Sequence, residues 1–578
     1  MAICKRLDCV LIGYNETPFA EYESLLEKYG QGSEAYRDLK FSFVNLGGKK
    51  LNYIGLLNHV FDLARRGRRG WMKEEFRSCD IPNLAAAYLT HYLRKRGCEA
   101  RYINLFQYEK KELIELLRGD PLCVGITTTF YPMNFPVGEM VRFIRSHNRH
   151  VKIIVGGPLI ANHERNYQDR ESHNRLVSLP AGGQALTEEF KAALDDLGAD
   201  IYVVESQGER TLWQIVEGLK NGEDLIRIPN IIYREKGGLR ATPKVPESNS
   251  LDENYLDWRI LADTRLGPTL QTRTARSCAF SCSFCNYPTR AGKLTLAGLE
   301  AVEKELDSIR DLGYVKNVVF IDDTFNVPLQ RFKDLCRVMI EKGYGFNWFS
   351  YFRCSNSDEE AIDLMARSGC KGVFLGIESG SPTILKNMNK AATIEKYARG
   401  IEQLRRREIL TFASLIMGFP GETEETVNET INFIRENRPD YYRAQLWYCE
   451  PGTPIENNRE RYGITGEGFV WEHATMSSLE AMDYIDKAFL TINESLWLPQ
   501  WSFDFWTIPY LLGRGVSLAQ FKELMTWAHK LLALEIASVP ANEKEALQRE
   551  YLQKMAGSVT GYDASPLSPP VTGDRPNG

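Results

Sequence analysis

Short apolar runs recur along the first third of the chain, and most are followed by a stretch with the three-to-four-residue apolar spacing of an amphipathic helix. The runs at 8–12, 100–104, 122–127, 152–156 and 201–204 read as strands, and 81–97, 109–118, 136–148 and 208–221 read as helices. A parallel sheet covered by helices on both faces produces this alternation, so residues 1–222 are expected to form a doubly wound, Rossmann-like α/β domain. About 65 residues rich in Tyr, Gly and Arg separate the first strand from the helix at 81. That is longer than an ordinary βα loop and marks an insertion at about 14–80.

A second alternation follows, with strands at 269–274, 317–321, 346–352, 372–376, 410–417 and 440–446. Helices are expected between them, near 295–312, 328–342, 357–368, 393–407 and 422–437. Six βα units fall short of the eight that close a barrel, so 269–455 is expected to be a partial (β/α)6 TIM-type barrel. Residues 223–268, with Pro229, Pro243, Pro246 and Pro268, suit a connector. Residues 456–555 read as a C-terminal helical cap that gathers Trp497, Trp501, Phe503, Phe505 and Trp506. The Gly-, Ser- and Pro-rich stretch 556–578 reads as a disordered tail.

Composition narrows the function classes. The 578 residues are 43% hydrophobic and 25% charged, with a formal net charge of −5, so a protein that coats polyanions is excluded and no nucleic-acid partner is expected. No apolar run approaches the ~20 residues that span a bilayer, and the stretch Met1 to Arg6 with its short apolar sequel lacks the form of a signal peptide. A cytoplasmic location without a membrane partner is expected. The basic cluster Arg65, Arg66, Arg68 and Arg69 reads as a solvated loop.

Of the 12 cysteines, only Cys278, Cys282 and Cys285 form a cluster. Their C-x3-C-x2-C spacing lies in a loop directly after a strand and can wrap three thiolates around one centre. Zinc would want a fourth ligand at a matched spacing, and none follows. A [4Fe–4S] cluster takes four thiolates, so three would leave one iron open to a non-protein ligand. A zinc site and three incidental thiols are the competing readings.

C-x3-C-x2-C after the first strand of a six-stranded partial barrel resembles the signature of the radical S-adenosylmethionine (SAM) enzymes, over residues 269–455. The resemblance implies that SAM binds the open iron and is cleaved to a 5′-deoxyadenosyl radical by an electron from the cluster. It places Phe284 near the adenine and Asp322 with Asp323 at the methionine amino group. It also places Arg353 at the SAM carboxylate, Glu378 and Ser379 at the ribose, and Ile416, in the segment that ends Gly418, Phe419, Pro420, Gly421, at the adenine.

No G-x-G-x-x-G follows the first strand, so a dinucleotide is not expected in the N-terminal domain. Three strand ends instead offer glycines and hydroxyls: Thr127, Thr128 and Thr129; Gly156 and Gly157; and Glu205, Ser206, Gln207, Gly208 and Glu209. These resemble the cobalamin-binding domain fused ahead of the barrel in the cobalamin-dependent radical SAM subfamily. Where histidine-ligated cobalamin proteins carry D-x-H-x-x-G, this chain has Gly13, Tyr14, Asn15, Glu16 and Thr17; no lower-axial histidine is visible, and His59, His91 and His163 lack that context.

The resemblance thus implies a cobalamin-dependent radical SAM methyltransferase that moves a methyl group from SAM by way of methylcobalamin to an unactivated carbon or phosphorus. Its substrate would be a small molecule or peptide, its electron donor external, such as flavodoxin or ferredoxin, and its nearest subfamily the phosphinate P-methyltransferases. The alternatives are a non-methylating radical reaction or polar methyl transfer, then a methylthiotransferase or RNA-modifying enzyme, or a cobalamin sensor. A methylthiotransferase would need a second cysteine set, yet Cys79, Cys98 and Cys123 lie far apart.

Overall fold

The computed structural model describes the chain apart from residues 1–5, 66–74, 79, 130, 132, 169–185, 206, 502, 561 and 563–578. Most of the basic cluster, Cys79, Ser206 and the tail from 563 onward therefore lie outside the described residues.

The first sheet is built from β1 (Cys9–Tyr14), β2 (Ala100–Leu105), β3 (Cys123–Thr127), β4 (Lys152–Gly156), β5 (Ile201–Val203), β6 (Ile231–Glu235) and β7 (Gly238–Ala241), in the order β2-β1-β3-β4-β5-β6-β7. The strands run parallel through β5 and antiparallel beyond it. Order reverses at β1, where Cys9 pairs with Ala100 on one side and Cys123 on the other. The crevice at the carboxyl ends of β1 and β3 is where such sheets take their ligands. Alternation along β1 separates the two faces. Cys9 and Leu11 join the core shared with the barrel, while Val10 and Ile12 join a second core under the helices Lys110–Arg118, Phe135–His147 and Glu188–Leu197.

The second sheet comprises β8 (Thr269–Thr272), β9 (Asn317–Phe320), β10 (Asn347–Phe352), β11 (Cys370–Glu378), β12 (Leu410–Met417), β13 (Tyr441–Leu446) and β14 (Leu496–Trp497), paired in sequence order and all parallel. It is the expected partial barrel extended by a short seventh strand. Two residues are too few to leave a period in the sequence. β14 is held by pairing with Tyr441 and Tyr442 and by the Trp497 ring against Phe41 at 4.7 Å and Phe489 at 5.3 Å.

Two further stretches differ from the sequence reading. Part of the expected connector supplies β6 and β7, because Ile231, Ile232 and Tyr233 bury against the sheet edge. The expected C-terminal helical region also carries an antiparallel ribbon, Thr465–Glu467 with Val470–His473 and Met476–Ser477, and its last helix, Ala541–Ser558, runs past 556 into buried Val559 and Tyr562.

The insertion folds as helices Phe19–Glu27, Glu34–Lys40 and Tyr53–Arg65 with a hairpin, Phe43–Leu46 and Lys49–Asn52. It packs on the C-terminal helices: Tyr53 meets Phe503 at 5.5 Å and Phe61 meets Tyr562 at 4.9 Å, and Glu34 accepts a hydrogen bond from the Ser478 hydroxyl at 2.6 Å. Fully buried Arg443 on β13 pairs with Asp38 at 2.5 Å and lies 4.6 Å over the Trp497 ring.

Candidate active site at the seam between the two sheets

After β8 the chain makes a two-residue strand, Ala275–Arg276, turns at Ser277 with φ +72°, and enters the cysteine loop. The loop is held from three directions. The Ser283 amide donates to the Met388 carbonyl at 2.8 Å, the Ser283 carbonyl accepts from the Ile455 amide at 2.9 Å, and the Asn389 side chain donates to the Ser281 carbonyl at 2.8 Å. Cys282 is buried, and Cys278 and Cys285 are half-buried. Burial pushes the Cys285 thiol up, and charge on Cys282, Asp323 and Cys278 pushes it the same way. Three cysteines on one short loop, near enough for Cys278, Cys282 and Asp323 to act on the Cys285 thiol, are a donor set whose chemistry fits an iron–sulfur cluster that would draw them in as thiolates. Among the described residues no three His, Cys, Asp or Glu side chains close around a single ion.

The paired acids after β9 divide. Asp322 turns inward and braces the start of the cysteine loop: its Oδ1 accepts from the amides of Thr274 at 2.6 Å and Ala275 at 2.9 Å, and its Oδ2 from the Thr274 hydroxyl at 2.6 Å. These bonds give Asp322 a bracing role at the start of the cysteine loop. Asp323 instead opens onto the cleft between the sheets, where enclosure by protein and the charge of Asp322 push its carboxyl up to about 7.

Arg353 is 7% exposed, lies 3.6 Å over the Phe280 ring, and has its Nη2 buried without an acceptor. A buried guanidinium with an open nitrogen fits a carboxylate ligand. Glu378, at φ +66° where β11 shifts register, is ion-paired with Lys390 at 2.8 Å, and Lys390 also lies 5.5 Å over the Phe284 ring. Phe284 packs edge-on to Phe419 at 6.4 Å. Ser379 is fully buried and bonds the Thr430 hydroxyl and the Ser381 amide, both at 3.1 Å. Its hydroxyl is thereby engaged within the fold. Ile416 stays half-buried on β12.

Facing this mouth, Thr127, Thr128, Thr129, Gly156, Gly157, Glu205, Gly208 and Glu209 all line one cavity of about 350 Å³. Its other wall comes from the barrel: Gln271, Arg273, Tyr287 and Asp323. The Thr127 hydroxyl donates to the Gly13 carbonyl at 3.0 Å and that of Thr128 to the Gly156 carbonyl at 3.0 Å, so both hydroxyls stitch strand ends together. Gly157, at φ +115°, leaves bare backbone where a Cβ would stand 2.8 Å from the Thr128 hydroxyl. The floor is apolar, from Leu11, Ile154, Val203 and Leu212. An apolar slot beneath bare glycine backbone suits the nucleotide tail of cobalamin with its flat aromatic base.

Glu209 is 3% exposed and ties the domains together through Arg273 at 3.4 Å and Arg276 at 3.3 Å, partners the sequence did not single out. A second chamber of about 350 Å³ adjoins the first, sharing Asn83 and Gln271, and is walled by the insertion and by Trp501, Asp504 and Trp506. Neither chamber is lined by a histidine among the described residues. His91 accepts from the Asp257 amide and His163 bonds Asn134.

Comparison with known proteins follows the same division. Residues 272–434 match the family model described as the radical SAM superfamily, and residues 77–188 match that of the B12 binding domain. An uncharacterized methyltransferase of Pyrococcus horikoshii, PH0819, is 27% identical over 385 residues, 65% of this chain and 77% of that protein. The anaerobic magnesium-protoporphyrin IX monomethyl ester cyclase of Rubrivivax gelatinosus is 28% identical over 302 residues; the chain spans about half of that relative, 53% of its length. In fold the chain is similar to TsrM from Kitasatospora setae, a radical SAM methyltransferase solved with cobalamin and a [4Fe–4S] cluster, with a TM-score of 0.51 at 20% identity, covering 67% of this chain and 74% of that one.

Proposed function

We propose that this chain, a member of the cobalamin-dependent radical SAM methyltransferase family, delivers a methyl group from SAM by way of cobalamin to an unactivated carbon or phosphorus of a natural-product or peptide substrate. The observation that carries the reading is the shared cavity, whose one wall is the glycine- and threonine-rich strand ends of the first sheet and whose other wall is Tyr287 and Asp323 at the edge of the cysteine loop.

When bound, the cluster supplies an electron to SAM, and the corrin carries the methyl group. This chain's own residues do the rest. Cys278, Cys282 and Cys285 would hold three irons and leave the fourth for SAM. Arg353 would pair with the SAM carboxylate, and the aromatic faces of Phe280 and Phe284 would exclude water from that side. Asp323, sitting near neutrality, is suited to hold or give up a proton at the cleft. Gly157 and Gly208 would let the corrin's tail approach the backbone, with Leu11 and Leu212 keeping the slot dry. The electron comes from an external donor of the flavodoxin or ferredoxin kind.

A non-methylating radical reaction is the second reading, favoured by the likeness to the cyclase. Anaerobically reconstituted protein, given SAM, reductant and acceptor extracts, separates the two by product. S-adenosylhomocysteine together with 5′-deoxyadenosine supports methyl transfer to an unactivated centre, and S-adenosylhomocysteine alone points to polar transfer. Only 5′-deoxyadenosine points to the second reading. Neither product from protein that holds all three cofactors would contradict both.

A further inference from the structure

We propose that Arg165 and Arg290 form a clamp for an oxyanion carried by the methyl acceptor: a carboxylate, phosphinate or phosphonate. The inference deepens the function proposed above and rests on it. Arg290 sits on the helix Tyr287–Ala291, which follows Cys285 and whose first residue lines the cleft. Arg165 sits on the turn Glu164–Gln168, which continues the helix Pro158–His163 from the opposite wall of the same cleft. The two guanidinium groups therefore come from different domains and meet beside the cysteine loop.

They meet on one atom. The Oδ1 of Asn162 accepts from Arg290 at 2.9 Å and from Arg165 at 3.3 Å. Among the described residues the ion-pair partner of the two is Glu450, at 3.2 Å from Arg165, while neighbouring Lys244 and Glu164 pair with each other at 2.7 Å. Among the described carboxylates only Glu450 is ion-paired with either of these two guanidinium groups, through Arg165. Burial lowers the Arg290 guanidinium; Glu450 draws it back up and Arg165 pushes it down again. The donors are also incompletely used. The Nε atoms of Arg165 and Arg290 and the Nδ2 of Asn286, a residue only 4% exposed, are buried without an acceptor among the described residues.

Buried donors without partners are uncommon in folded proteins and point to a group that fills them. Planar guanidinium forks match the paired oxygens of carboxylates and phosphorus oxyacids. Arg165 is held against the bare backbone of Gly452, where a Cβ would stand 3.1 Å from its Cδ, so the fork has little freedom to turn away.

The test uses protein loaded with cluster, cobalamin and SAM, titrated calorimetrically with phenylphosphinate and benzoate as anions, benzamide as a neutral partner of similar shape and benzylamine as a cation. Either anion is expected to bind at least tenfold more tightly than the neutral and cationic compounds, the stronger of the two identifying the oxyacid class. Arg165→Gln and Arg290→Gln should each weaken the anion at least tenfold, and Arg290→Lys should restore part of it. Retention of SAM and cobalamin should not change. No anion binding at millimolar concentration, equal binding of benzamide, or full affinity in both Gln variants would overturn the clamp. So would a fall in SAM affinity in Arg290→Gln, which would assign that arginine to SAM. Anion binding without methyl transfer would sink the methyltransferase reading alone, and methyl transfer without anion binding would sink the clamp alone.

Discussion

At the scale of single residues, the site is decided by which polar groups the fold leaves open. Arg353 is buried with one nitrogen unmatched, so its substitution by Gln should weaken SAM binding on the order of 10- to 100-fold, about 1.5–3 kcal/mol, with iron content unchanged. Equilibrium dialysis with labelled SAM reads this, and unaltered affinity would mean that Arg353 serves the fold. The paired acids make a sharper contrast. Asp322→Asn removes an acceptor from the brace on Thr274 and Ala275 and should lower iron retention, whereas Asp323→Asn should keep its iron and lose function at the cleft. Iron assay of the two variants separates the roles, and equal iron in both would refute the brace. Sequence order placed both acids correctly at a strand end but could not tell which one turned inward, because that depends on the amides of Thr274 and Ala275 across the sheet. The contact of Ser379 with Thr430 was illegible for the same reason, the two lying 51 residues apart. Lys390, which neutralises Glu378, carried no local signal.

At the scale of elements, the strands were legible where burial on both faces leaves an unbroken apolar run bounded by turn residues. β4 and β12 begin and end where the pattern placed them. The helix Glu188–Leu197 was missed although Thr187 caps it, Glu188 and Glu189 open it and Gly198 closes it at φ +71°; those cap signals were present and unread.

Past β12, the turn at Gly418 is tied by Glu422, which is wholly buried, accepts from the Gly418 and Phe419 amides and is pushed up to about 8 by burial. A carboxyl held neutral in the fold contributes stability in full below its unfolded value of 4.5 and loses it as pH rises toward 8, because only the unfolded chain has released the proton. Wild-type stability relative to Glu422→Gln should therefore decline across that window, by at most about 1.4 kcal/mol per pH unit. Parallel denaturation curves at several pH values check this, and a constant gap between the two proteins would show that Glu422 is ionised in the fold.

At the scale of the whole molecule, the insertion and the C-terminal region make one body with the barrel, a relation invisible in the sequence because its contacts join residues about 400 positions apart, as with Asp38 and Arg443. Removing Asp38 leaves a guanidinium that is 1% exposed without its carboxylate. Asp38→Ala should cost about 3 kcal/mol, read as an earlier denaturant midpoint, and an unshifted midpoint would mean that water replaces the carboxylate.

The central claim is that one cavity between the two sheets holds cobalamin opposite the cluster. Its most direct test is the visible spectrum of protein reconstituted with iron, sulfide and cobalamin and then freed of unbound corrin. The account predicts one cobalamin per chain alongside a four-iron cluster, and its loss in Gly157→Leu while iron and SAM binding persist, since a side chain there displaces Thr128 from the cavity wall. A wild-type chain that keeps its cluster and binds SAM yet retains no cobalamin would contradict it.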